Sequence, residues 1–229
     1  LLFAAVYLRK GRIGDAVALV VADTEEHARS AAKAVKVDYE PLPEYKSYLE
    51  ACLPDAVSVD GVAPNDILRQ PLFKGEDTRP IFAQADQPGS GIHAVEGSFY
   101  SSRQPHLPLE PWSLQAYYDE DDMLTINYKS QTLWVGMFLL PRAMGCPADK
   151  LRIIETTSGG SFGASMDWQG PAMIGVAEMV VKQPITWTCT YEESQRFTGK
   201  RASSYTNIKL ACDDNGKILA IDFDFVQDH

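Results

Sequence analysis

The stretch IIETTSGGSFGASMDWQG, residues 153–170, constrains the fold more than any other part of the chain. DKLRIIET, at 149–156, is an apolar β-branched run that reads as a strand. It delivers the chain into Ser158-Gly159-Gly160-Ser161-Phe162-Gly163, a turn with three glycines and two serines. Pro171 then suits the first position of a helix whose apolar face is Met173, Ile174, Ala177, Val180 and Val181, ending before Pro184. Strand, glycine turn and helix in that order form the geometry in which backbone N–H groups, cleared of side chains, converge on an oxyanion or a phosphate.

Several chemistries use such a turn. A phosphate-binding P-loop requires a lysine, and none lies in the turn. A dinucleotide fingerprint requires G-x-G-x-x-G, which is absent. Gly159, Gly160, Ser161, Phe162 and Gly163 do match G-x-S-x-G, the elbow that presents a serine nucleophile. That chemistry needs a downstream histidine as base, and His229 is the one histidine that follows. A serine hydrolase, an oxyanion or cofactor cradle, and a glycine hairpin in a non-catalytic structural module all remain open on these residues.

The surrounding pattern is mixed α+β. LLFAAVYLRKGR reads as a strand entered partway, so the chain is expected to be a fragment. DAVALVVA (15–22) reads as a buried strand, Asp23 as a helix N-cap with Glu26 completing a capping box, and Ala28, Ala31, Ala32 and Val35 as a small-residue helix face. VKVDYEPLP alternates as a second strand. Residues 54–92 show little periodicity beyond a short ILRQPLF, which places a domain boundary near Gly75. Strands return with AVEGSFYSSRQ, and LQAYYDEDDMLTINYKSQT reads as a hairpin with the acids at its tip. A helix is expected from Thr132 until Pro141 and Gly145 break it. ITWTCTY, YTNIKLACD and KILAIDFDFV read as further strands, the last two joined by DDNGK.

Charge and composition exclude some partners. A net charge of −10 repels nucleic-acid backbones and anionic membranes, and no apolar run approaches the roughly 20 residues of a membrane span. Cys52, Cys146, Cys189 and Cys212 stand too far apart for a zinc or iron–sulfur site, and His27, His93, His106 and His229 are equally scattered. No metal held directly by protein ligands is expected, and a cytoplasmic setting with reduced thiols follows.

Taken together, VKVDYEPLP after a small-residue helix, RQPHLPLEP at 103–111, SGGSFGASMD at 158–167 and QRFTGKR at 195–201 followed by KLACDDNGKILAIDFDFVQDH resemble the large subunit of the xanthine oxidase family of molybdenum hydroxylases, most nearly the bacterial aldehyde oxidoreductases. The resemblance covers essentially the whole chain. It implies an α/β hammerhead domain over 1–74 and the first part of a molybdopterin-binding domain of mixed sheets and helices over 75–229.

The resemblance also gives the turn a task. It implies that Gly159 and Gly160 allow close approach of a molybdenum cofactor, that Phe162 and Gly163 supply the nearest backbone with Ser161 as a linker, and that the Phe162 ring lines the substrate pocket with Met166. Gln131 falls where many members direct a glutamine at the cofactor; its other reading is an amide bound to backbone. Purine-oxidising members carry G-G-K-E after the phenylalanine, whereas this chain has Gly163, Ala164, Ser165 and Met166, and a thioether cannot hydrogen-bond a purine as a carboxylate does.

Aldehyde oxidation is therefore the implied activity, aldehyde plus water giving a carboxylic acid, with hydroxylation of a xanthine- or nicotinate-type N-heterocycle as the alternative. The cofactor implied is molybdopterin, in its cytosine dinucleotide form, with electrons passing to [2Fe-2S] clusters in other domains or subunits. No catalytic residue is assigned among these residues, because the resemblance places the general-base glutamate in a later domain. Glu110 and Glu178 are the carboxylates nearest the motifs; the first reads as an ion-pair or backbone acceptor, the second as a helix residue. Residues 1–229 alone are expected to be inactive and free of cofactor, and to need the other molybdopterin domain and the iron–sulfur domains as partners. A small-molecule substrate and a homo-oligomeric parent enzyme complete what the resemblance implies.

Overall fold

Strand β2 (Ser113–Tyr118) alternates apolar and polar residues, turns through Asp119–Asp122 and returns as β3 (Leu124–Tyr128), antiparallel with Leu114 opposite Tyr128. The acids at the tip form the turn itself. Asp119 Oδ1 accepts from the N–H groups of Asp121 and Met123, and its other oxygen accepts from Thr125 Oγ1 and pairs with Arg152. The computed structural model describes residues 15–41, 43–58, 65 and 70–227, and among these no cluster of three metal-ligating side chains occurs.

Helix α4 (Leu133–Met144) carries the chain from β3 back to β4 (Leu151–Glu155), which lies parallel to β3 with Tyr128 opposite Glu155. Pro141 does not end α4 as expected. It sits inside the helix, where it only removes one N–H, and Gly145 closes the helix at φ 71°. Helix α5 (Gln169–Val181) follows the glycine turn, and β5 (Ile185–Thr188) adds antiparallel to β2. The sheet order is β4-β3-β2-β5.

Trp112, Leu114, Ile126, Tyr128 and Leu151 of the sheet pack with Leu140, Met144, Trp168 and Ile174 of the helices into one core. α5 matches its expected face at Ile174 and Ala177 and departs from it at Val180. It starts two residues before Pro171 and buries Gly170, Pro171, Ile174, Gly175, Ala177 and Glu178, whereas Val180 is left half-exposed. Gly170 and Gly175 decide this, because a Cβ on either would stand 2.4 Å from Trp112 or Met144, and the helix approaches on the side where it is thinnest.

Helix α6 (Tyr191–Phe197) completes this unit, with Thr190 and Glu193 forming a full capping box. α1 (Glu25–Lys33) starts from Thr24, whose hydroxyl accepts from His27 N, and not from Asp23, whose carboxylate is bound to His27 Nδ1 instead. Arg29 of α1 donates to Glu193 of α6 at 2.7 Å. The small-residue face of α1 is at most half-buried. The runs 15–22 and 35–39 form no ladder among the described residues, and the helix of the expected strand-helix-strand unit is present as α1. A strand exists by pairing, and neither run has a ladder partner among the described residues. LLFAAVYLRKGR lies wholly, and ILRQPLF in part, outside the described residues, as does His229.

By its internal contacts the chain divides into a unit of Leu1–Pro41 with Pro105–Arg201, described above, and a unit of Leu42–Gln104 with Ala202–His229. The second unit holds short α2 (Tyr48–Ala51), α3 (Arg79–Gln84) and an antiparallel sheet in the order β1-β6-β7, from β1 (Ile92–Ser101), β6 (Ser204–Asp213) and β7 (Ile218–Gln227). β6 and β7 are joined by a turn with Gly216 at φ 79°, as DDNGK foretells. No described helix is long and apolar enough to cross a membrane.

Candidate functional site

The parallel pairing of β3 with β4 puts the ends of both strands at one edge of the sheet, and the antiparallel partners β2 and β5 bring the segment before β2 and the segment after β5 to that same edge. Four sequence motifs therefore meet: 106–112, 129–131, 156–166 and 198–200. Loops beyond the carboxyl ends of parallel strands are where α/β sheets bind ligands.

The glycine turn is knitted into this edge from both sides. Gly159 N–H donates to Glu110 Oε2, and a Cβ on Gly159 would stand 2.8 Å from Glu110 Cβ. Ser161 Oγ donates to Gln131 Oε1 at 2.7 Å and accepts from Ser165 N at 3.0 Å. The same Gln131 oxygen accepts from Gly163 N–H at 3.2 Å. Gly163 has φ 99°, and a Cβ there would meet His106 Nε2 at 3.0 Å. His106 Nδ1 donates to Gly199 O at 3.0 Å, Gly199 N–H donates to Asp167 Oδ2 at 3.2 Å, and Tyr128 Oη donates to Asp167 O. Burial holds the His106 pKa below the usual histidine value, with Arg201 and Lys200 adding to the effect, so its ring is neutral near pH 7.

Two of the three glycines are thus small because protein presses on them, Glu110 at one and His106 at the other. Gly160 differs: its φ is 101°, and a Cβ would come no nearer than 3.5 Å to Phe162 and 4.0 Å to Pro108. Phe162 also lies in the left-handed region, at φ 53°, with its ring 63% exposed. Met166 is exposed as well. The N–H groups of Gly160, Ser161 and Phe162 make no bond among the described residues. The turn is therefore a held row of donors with open space before it.

The nucleophile-elbow alternative does not match this geometry. The proton of Ser161 Oγ goes to an amide oxygen, and no imidazole is bonded to it among the described residues. Glu110 is an ion-pair and backbone acceptor, as its sequence context suggested. Glu178 lies buried on α5, its pKa raised by burial and Oε2 without a hydrogen-bond partner among the described residues. All four cysteines are free thiols, and burial pushes Cys189 up to about 12.

A family model described as the molybdopterin cofactor-binding domain matches residues 60–229. The chain belongs to the molybdopterin cofactor-binding domain family. A second model, the a/b hammerhead domain of aldehyde oxidase and xanthine dehydrogenase, matches residues 9–43, so a hammerhead segment precedes the molybdopterin cofactor-binding domain. The aldehyde oxidoreductase of Megalodesulfovibrio gigas is 39% identical over 94% of this chain and 23% of its own length. The crystal structure of the aldehyde oxidoreductase from Desulfovibrio desulfuricans superimposes with a TM-score of 0.85 at 38% identity, over 95% of this chain and 24% of that one. The nicotinate dehydrogenase large molybdopterin subunit of Eubacterium barkeri is 26% identical over 95% of this chain and 49% of its own length. The chain spans about a quarter of the length of the aldehyde oxidoreductases it matches.

One site residue of this molybdopterin cofactor-binding domain carries no sequence signal. Lys129 follows β3 directly, is 1% exposed, and donates to Glu110 O at 2.8 Å. A lone lysine after a strand reads as solvated; only the sheet register buries it. His106 lay in a quoted motif, but nothing in the sequence tied it to Gly163.

Proposed function

We propose that this chain is part of a molybdenum-dependent aldehyde oxidoreductase that converts an aldehyde and water to a carboxylic acid. The observation that carries the reading is the row of unpaired N–H groups at Gly160, Ser161 and Phe162, held open by Gln131 on one side and Glu110 on the other. The residues fit a molybdopterin cofactor: three successive unpaired N–H groups can take an oxygen acceptor in place of water, and the space a Cβ at Gly160 would enter is not filled by protein.

In this reading the three N–H groups hold an oxygen of the cofactor. Gln131, whose Oε1 is occupied by Ser161 and Gly163, has its Nε2 left to donate to it. The part of Gly159 is to accept close contact with Glu110, and that of Gly163 is its conformation, since Gln131 takes its N–H. The exposed Phe162 ring and Met166 border the substrate and favour a carbonyl compound over a purine, because neither side chain offers a strong hydrogen-bonding group. When bound, the cofactor supplies the redox centre that oxidises the substrate. The preorganised donors of the turn would stabilise negative charge on the oxygen they hold without reorganising.

The finer assignments belong to the same proposal. They are the cytosine dinucleotide form of the cofactor, [2Fe-2S] clusters and a general-base glutamate in other domains or subunits, a second molybdopterin domain as partner, a homo-oligomeric parent in the cytoplasm, and a hammerhead boundary near Gly75. The cofactor, cluster and partner assignments rest on the family resemblance of the motifs at 103–111, 158–167 and 195–201, and the family models themselves match 9–43 and 60–229. The test is molybdenum, iron and pterin analysis of the intact protein, together with dye reduction by acetaldehyde, benzaldehyde, nicotinate and xanthine. Stoichiometric molybdenum with aldehyde-dependent reduction is expected. Absence of molybdenum together with esterase turnover would overturn it.

A further inference from the structure

Lys129 is a buried ammonium group whose two bonds both go to one residue: it donates to Glu110 O at 2.8 Å and pairs with Glu110 Oε2 at 3.1 Å. An ammonium group taken out of water is costly unless a charge and hydrogen bonds compensate it. The Glu110 carboxylate, itself 34% exposed, is therefore not free to turn outward to solvent. The same Oε2 accepts the N–H of Gly159, and Glu110 fits against Gly159 so closely that a Cβ could not stand between them.

We propose that Lys129 and Glu110 are positioning residues of the glycine turn: the buried ammonium fixes the carboxylate, the carboxylate fixes Gly159, and the next three N–H groups stay unpaired and available. Without the clamp, Gly159 at the mouth of the turn is held by no other side-chain bond among the described residues, and the backbone is free to rotate its donors toward water or toward Gln131. The link to catalysis rests on the reading of this turn as a cofactor cradle; the link from Lys129 to Gly159 does not.

The experiment uses two double variants of the intact protein, chosen because an unpaired buried charge could unfold a single variant. Lys129→Met with Glu110→Leu removes both charges and the acceptor for Gly159. Lys129→Met with Glu110→Gln removes the charges but returns an amide oxygen to the same place. Hydrogen exchange is read by mass spectrometry over peptides covering 156–163 and, as a control, over α5, with Tm measured alongside. In the Met/Leu variant the Gly159 amide, resolved by overlapping peptides within 156–163, should exchange about 10-fold or more faster, as loss of a charge-assisted bond implies, with α5 and Tm little changed. The Met/Gln variant should fall between it and the wild type.

Unchanged exchange at 156–163 in the Met/Leu variant overturns the clamp, and so does an equal rise in α5. A second arm measures molybdenum and pterin content and splits kcat from KM. Faster exchange in the turn should accompany lower cofactor content or lower kcat at similar KM. If the wild type holds cofactor and the loosened variant keeps its content and kcat, the clamp does not position the cradle. If the wild type itself holds none, the cofactor reading fails while the exchange arm still decides the clamp.

Discussion

Ser161 is the residue on which two chemistries diverge. Its hydroxyl bridges Gln131 Oε1 and Ser165 N, so Ser161→Ala removes two neutral hydrogen bonds and should lower stability by about 1–2 kcal/mol. Activity should stay within roughly tenfold of wild type, whereas loss of a nucleophile costs about a millionfold. Denaturant unfolding and steady-state rates on the same preparation separate the two, and covalent capture of Ser161 by a fluorophosphonate would contradict the cradle. The glycines differ among themselves in the same quantitative way. Gly160→Ala meets only backbone strain at φ 101°, about 1–2 kcal/mol, whereas Gly163→Ala meets similar strain and His106 at 3.0 Å. Gly163→Ala should therefore be the less stable of the two by denaturant midpoint. Equal loss in both would mean that His106 yields freely and does not support the turn.

Helices α5 and α6 show what periodicity can and cannot say. The capping box Thr190-x-x-Glu193 was in the sequence, and α6 starts there; Thr190→Ala should cost about 1 kcal/mol, seen as a lower denaturant midpoint with unchanged slope. The helix went unread because ITWTCTY had claimed Thr190 and Tyr191 for a strand. On α5 the helix was readable, and of its expected face Ile174 and Ala177 are buried, whereas the burial of Gly170, Gly175 and Glu178 was not readable. Hydrophobicity pointed to Val180 and Val181, while packing chose the side where Gly170 and Gly175 admit Trp112 and Met144, and that rotation buries Glu178. Burial raises the Glu178 pKa, against the pull of Tyr118 and Gln183 backbone groups and of Lys182. The unfolded chain then loses its proton first as pH rises, so this group's contribution to stability falls between the ordinary glutamate value and the raised one. Glu178→Gln should match wild type in Tm near about pH 4 and exceed it near about pH 7. A Tm difference independent of pH would mean that burial does not raise the Glu178 pKa.

For the whole molecule, the hairpin, the acidic turn, β4, the glycine turn and the β6–β7 pair were readable, because alternation and turn residues are local signals. The convergence of Glu110, Lys129, Gln131, His106 and Gly163 was not. It depends on β4 pairing parallel to β3 and on β2 and β5 presenting their flanking loops at the same edge, and strand order leaves no mark in a single sequence. The motifs at 103–111 and 195–201 were visible by resemblance, yet their reason is physical: one carries Glu110 and His106, the other the Gly199 carbonyl that holds the His106 ring. Runs 15–22 and 35–39 have strand-like composition without a described partner, and propensity alone does not make a ladder. The central claim is that the turn at 160–162 faces the metal cofactor. Diffraction from crystals of the intact protein at the molybdenum absorption edge tests it most directly. An anomalous peak is expected beside the N–H groups of Gly160, Ser161 and Phe162; a molybdenum peak away from that turn would contradict the cradle.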